Sequence, residues 1–178
     1  LARAERLQDR FLLALACLAN VNVCRLRGDW QAARAFSDRG LALDPRQNWI
    51  LGLRAVLEYE LGEFDHGEAY VERLLDVMRA TTPGPVLEYI SPAWVIPVLA
   101  RITGNGDRLD VAEQAAQAVL LSPYFKPVLA HLRVGRALTS VLRNDLAAAE
   151  RQYADLLQWR DEVATDPALA TGEPSVHR

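Results

Sequence analysis

The stretch Gly28-Asp29-Trp30-Gln31-Ala32-Ala33 decides the fold, because its pattern returns three times. Gly62-Glu63-Phe64 is followed by Gly67, Asp107-Arg108-Leu109 by Ala112, and Asn144-Asp145-Leu146 by Ala149. The large apolar residues at 30, 64, 109 and 146 are 34, 45 and 37 positions apart, a period that marks stacked helical hairpins rather than one compact globule. Two antiparallel helices approach closely only where one carries a small side chain, and each second helix supplies one at +3 from its large residue: Ala33, Gly67, Ala112 and Ala149. Position +10, on the same helical face, holds Gly40, Leu74, Val119 and Leu156. Trp30, at a hairpin turn between packed helices, reads as a core ring. The alternative is an ordinary amphipathic bundle in an alanine-rich chain.

The breakers set the boundaries. A first helix is expected from about 4 to 27, ending at Gly28, with Asp29 capping the next, which stops at Asp44-Pro45 because the residue before proline is pushed out of the helical region. A second hairpin spans 48–61 and 63–80. Thr81-Thr82-Pro83-Gly84-Pro85 then interrupts the array and accounts for the longer third interval. Ser91 reads as the N-cap of the third hairpin, with Pro92 in the first turn, Pro97 in the helix body and Gly104 at its close. Its return helix, 107–121, ends at Ser122-Pro123, and the last hairpin covers 125–143 and 145–163. Residues 1–164 form the helical-repeat domain, and 165–178, with Pro167, Gly172 and Pro174, read as a flexible tail.

Composition excludes several functions. The 178 residues carry a net charge of −3 and are 51% hydrophobic, enough to bury roughly 70% of the unfolded surface. Among the 20 cationic residues only Lys126 is a lysine, and the arginines are interleaved with carboxylates. No basic stripe results, so direct nucleic-acid binding is not expected. The longest apolar run, Phe11 to Ala19, stops at Asn20 and is too short to span a bilayer. Cys17 and Cys24, two turns apart on one helix, read as buried thiols in a reducing, cytoplasmic setting, with no metal site. The first residue is Leu, so a fragment of a longer polypeptide, or a chain whose start was removed, is expected.

Enzyme signatures are absent from the sequence. The one lysine follows Phe125 rather than a glycine, which excludes a phosphate-cradling loop; no serine has glycines at both −2 and +2; and His66, His131 and His177 form no HExxH. Glu58 with Glu60, or Glu68 with Glu72, could do acid–base work if buried together, but solvated helix faces are commoner. No cofactor and no catalytic residue is assigned.

At this point the residues resemble the tetratricopeptide repeat, a helix-turn-helix unit of 34 residues. Gly28, Asp29, Trp30, Ala33, Gly40 and Asp44-Pro45 follow its pattern in order, and Gly62, Phe64, Gly67 and Leu74 repeat it. The first helices depart from it: Ala55 fits, Val21 does not, and Cys24 and Glu58 stand where an aromatic is wanted. The resemblance implies an all-α fold, a right-handed α–α superhelix of about four such hairpins and eight helices. Glu72 to Gly104 looks more narrowly like a repeat arm of large bacterial signalling ATPases that carry nucleotide-cyclase or LuxR-type effector domains. A non-enzymatic arm for protein–protein or interdomain contact is then expected, with a protein or peptide partner, in the first instance other domains of its own chain.

In such arrays the first helices line the concave side. Aligning the hairpins brings Leu15, Trp49, Trp94 and His131 to one early position, Leu18, Gly52, Pro97 and Val134 one turn on, and Asn22, Val56, Arg101 and Leu138 further along. With Tyr59, these residues make an apolar furrow for a peptide or a small apolar effector. Two alternatives stay open: Trp49 and Trp94 serve only to pack neighbouring hairpins, or the furrow holds a small inducer.

Overall fold

The computed structural model describes residues 9–82, 86–120 and 129–165. The described residues form eight α-helices and no strand: α1 Arg10–Leu26, α2 Trp30–Leu43, α3 Asn48–Glu60, α4 Phe64–Arg79, α5 Ile90–Thr103, α6 Leu109–Leu120, α7 Leu129–Leu142 and α8 Leu146–Thr165. A single 3-10 turn, Leu87–Tyr89, leads into α5. Each helix packs against the next as a hairpin, α1 with α2 through α7 with α8, and the first helices also contact one another in sequence, α1 with α3, α3 with α5, α5 with α7. The Pro83-Gly84-Pro85 insertion, the Ser122-Pro123 break, Lys126 and the tail beyond Thr165 lie outside the described residues.

The repeated punctuation has a common backbone cause. Gly28, Gly62 and Asn144, each two residues before the large residue of a second helix, adopt φ of +73°, +78° and +58°, the left-handed conformation that ends a helix and that glycine or asparagine takes at least cost. Asp29 then caps α2 by accepting from Ala32 N–H at 3.1 Å, and Asp145 caps α8 by accepting from Ala148 N–H at 3.0 Å. In the third hairpin the same left-handed step is taken earlier, at Gly104.

The small +3 positions are the hairpin contacts: Ala33, Gly67, Ala112 and Ala149 are all buried. At Gly67 a β-carbon would fall 2.3 Å from the Tyr59 ring. The large residues at position 0 behave differently from expectation. Trp30 is 39% exposed, and Phe64 and Leu146 are more exposed still; only Leu109 is buried. Position 0 is the first residue of the second helix, beside the turn, where there is no preceding turn of helix to cover it. Trp30 is therefore a turn residue, not core, and Phe64 caps its turn by meeting the Tyr59 ring edge-on at 5.5 Å.

Two further expectations are corrected. Helix α1 starts at Arg10, capped by the Asp9 carboxylate, which accepts from Phe11 N–H and Leu12 N–H, so the helix expected from about 4 to 27 does not run through Asp9; its expected start lies outside the described residues. Ser91 is not an N-cap: the 3-10 turn feeds the helix from Ile90, and Ser91 is buried one residue inside it. Pro97 sits within α5, as expected. Its missing N–H leaves the carbonyl of Ala93 without its helical donor, and Gly135 of α7 lies against that carbonyl, where a β-carbon would come within 2.3 Å. The third and fourth hairpins thus meet backbone to backbone at a proline–glycine pair.

The core forms two clusters that span the hairpins and share partly buried Met78 and Trp94 at their edges. One cluster joins Cys17, Leu41, Ile50, Leu51, Val56, Leu74, Val95 and Ala112, and a second joins Ile90, Ala93, Ala116, Val119 and Leu132. Between the first two hairpins lies a buried ionic group. Glu58, 1% exposed, accepts from Arg34 and Arg54, and Arg54 also donates to Ser37 Oγ and Asp38 at 2.6 Å each. Burial alone would raise the Glu58 carboxyl; the guanidinium hydrogen bonds outweigh it and hold the group below its ordinary value.

Candidate recognition surface

Trp49, Trp94 and His131, placed at one register position by the repeat, meet in space. The Trp49 and Trp94 ring centroids are 6.4 Å apart, and the His131 ring lies 5.3 Å from Trp49, edge-on, and 5.8 Å from Trp94. Both indoles are half-buried and pack on the core cluster shared by the third and fourth hairpins, so each ring stitches neighbouring hairpins and also presents an edge outward. Loss of water around the His131 imidazole lowers its pKa, keeping the ring neutral at neutral pH. The Trp94 indole N–H is buried and has no acceptor among the described residues.

The other furrow residues divide. Val56 is corrected: at 1% exposure it belongs to the core and lines no open face, because the α3 surface that carries it is covered from both sides by neighbouring hairpins. Gly52 and Pro97 are likewise buried, Gly52 so near Val95 that a β-carbon would come within 2.8 Å. Leu15 and Asn22 stand exposed on α1, Asn22 donating weakly to Leu18 O at 3.4 Å. Tyr59 lines a pocket of about 320 Å³ between the second and third hairpins, its hydroxyl donating to Glu68 at 2.8 Å. Burial and that carboxylate push the Tyr59 hydroxyl up to about 12. Arg108 crosses from the third hairpin to both Glu68 and Glu72 at 2.5 Å. The carboxylate pairs considered for acid–base work are thus tied to arginines, and the Arg108 hydrogen bond holds Glu68 below its ordinary value.

Arg101, Val134 and Leu138 come together elsewhere, in an open trough of about 600 Å³ at the last hairpin. The remaining walls are Ala137, Val141, Leu146, Ala149, Glu150, Tyr153 and Leu156. Val134, Val141, Leu146 and Tyr153 are all exposed, so the trough is a shallow apolar groove with Arg101 and Glu150 as its charged groups. Sequence reading from the first helices found Arg101, Val134 and Leu138 but missed the α8 wall; its signal was the second-helix spacing Leu146, Glu150, Tyr153, at positions 0, +4 and +7.

Among the described residues no cluster of His, Cys, Asp and Glu could hold a metal, and no helix is long and apolar enough to cross a membrane. Cys17 and Cys24 form no disulfide with each other; Cys17 is buried as expected, whereas Cys24 is only partly buried. No protein family, curated protein or solved structure matches the chain.

Proposed function

We propose that the chain is a non-enzymatic helical-repeat recognition arm, of the tetratricopeptide kind, which docks a protein segment or another domain of its own polypeptide on the α7–α8 trough. The observation that carries this reading is the exposure of Val134, Val141, Leu146 and Tyr153 side by side, an apolar surface that water covers at a cost and a partner would cover with gain. Placement in a bacterial, cytoplasmic signalling or transcription-regulating protein follows from the resemblance of residues 72–104 and is part of the same proposal. A small inducer fits less well, since ligand pockets enclose most of their ligand and this trough is open along its length. Burial of the indoles between hairpins favours a packing role for Trp49 and Trp94, leaving the trough as the first choice of site.

Photo-crosslinking tests the reading. A photoreactive residue at position 141, introduced in the host cell, is expected to yield a protein adduct or an internal crosslink to another domain, and the same group at exposed Gln114 on α6 is expected to yield neither. A low-mass adduct at 141 would assign the trough to an effector, and no adduct at either site would remove the recognition reading.

A further inference from the structure

Each second helix carries a charge at +4 from its large residue, and at three of the four hairpins that charge pairs with the hairpin that follows. Arg34 pairs with Glu58 at 3.0 Å, Glu68 with Arg108 at 2.5 Å, and Glu113 with Arg136 at 3.5 Å. Position +7, one turn on, is sealed at the same three junctions: Ser37 is 0% exposed, Val71 1% and Ala116 0%. In the fourth hairpin the equivalent residues are Glu150 and Tyr153. Glu150 meets no opposite charge among the described residues, and Tyr153 is 57% exposed.

The second junction gives the fullest template. Tyr59, Glu68 and Val71 of the second hairpin face Ile96, Leu99 and Ala100 of α5, with Arg108 closing onto Glu68. Counted from the same register marks, Val141, Glu150 and Tyr153 occupy those three positions in the fourth hairpin, and all three line the trough. We propose that this face seats the leading helix of a further hairpin of the same repeat, one that brings an arginine or lysine onto Glu150. The inference rests on reading the trough as a protein-docking surface and specifies the partner: an amphipathic helix with aliphatic and small residues toward Val141 and Tyr153, and a cation beyond its end as Arg108 lies beyond α5. Repeat arrays keep neighbours stacked face to face and close with a polar outer face; the outer face of α7 and α8 is apolar. Residues 166–178 lack the sequence of such a helix, with Pro167, Gly172 and Pro174 and no arginine or lysine before Arg178.

The test supplies the partner. Residues 80–120, which carry α5, α6 and Arg108, are appended to Arg178 of the full chain through an added glycine–serine linker, which keeps the local concentration high. The appended hairpin is expected to raise Tm by several degrees and to protect Tyr153 from nitration, measured on the peptide by mass spectrometry. Glu150→Arg is expected to lower Tm of the extended chain while leaving the four-hairpin chain within about a degree, as an exposed unpaired charge should. An extended chain with Tyr153 as reactive as before, or with equal response to Glu150→Arg in both chains, would overturn the proposal. Self-association of the unextended chain through Tyr153, seen by sedimentation, would assign the face to a second copy and overturn it as well. A protein adduct at position 141 combined with failure of the appended hairpin would leave the recognition reading standing and refute only the partner's kind.

Discussion

Ala112→Arg is expected to unfold the protein or to cost on the order of 4 kcal/mol or more, while Gln114→Arg on the same helix leaves stability within about half a kcal/mol. Ala112 is 1% exposed and belongs to the core cluster that joins the first three hairpins. An arginine there must either displace the packed neighbours or leave an unpaired charge away from water, and Glu58, the buried carboxylate among the described residues, already holds two guanidinium groups. The loss is a large part of a stability that for a domain of this size is about 5–15 kcal/mol. Urea denaturation followed by circular dichroism measures it. Equal stability of the two variants would place Ala112 on the surface and refute the hairpin register.

Glu58→Ala is the second large effect, expected to cost about 3 kcal/mol. Removing the carboxylate leaves the Arg54 guanidinium, 10% exposed, inside the junction of the first two hairpins without its most buried counter-charge, its remaining contacts among the described residues being Ser37, the more exposed Asp38, the Arg34 carbonyl and the Tyr70 ring. Breaking a buried pair on one side is more costly than replacing the whole of it. The double variant Glu58→Leu/Arg54→Met should therefore recover part of the loss. Because the folded carboxyl sits below its ordinary value, its contribution is complete above that ordinary value and is lost as the pH falls through the folded one. The parent should accordingly lose stability on acidification more steeply than the double variant, which a Tm series from neutral to acid pH would read. A double variant as unstable as Glu58→Ala would mean that the cost comes from lost volume rather than from the orphaned charge.

The fold was legible because its determinants are local. Glycine or asparagine in the left-handed region, an aspartate cap and a small residue three positions into the next helix are all read within six residues, and each recurs. The role of Trp30 was misread for a reason equally local. Size alone suggested core, yet the first residue of a helix has open space on the turn side, and the small residue at +3 makes the contact. Of the candidate site, the meeting of Trp49, Trp94 and His131 followed from register, since equivalent positions of stacked hairpins lie side by side. Burial of Val56 did not, because whether a first-helix face is open depends on how closely the next hairpin approaches. That distance is set by Gly52 and Gly135 in contact with α5. The trough was only half visible. Its α8 wall uses the +4 position, where the sign of the charge changes from Arg34 to Glu68, so a search by residue type passes over a recurrence that only the ion pairs across each junction make plain.

The register that relates all four hairpins is most directly tested by thiol accessibility at the +7 position, with Ser37→Cys, Val71→Cys, Ala116→Cys and Tyr153→Cys each made in a chain whose Cys24 is replaced by serine. Under native conditions the first three thiols are expected to react only as fast as the protein opens, because each is sealed by the hairpin that follows, and the fourth at the rate of a free surface thiol. A protected thiol at position 153, or a rapidly reacting one at 37, 71 or 116, would contradict the stacking on which the proposed recognition face depends.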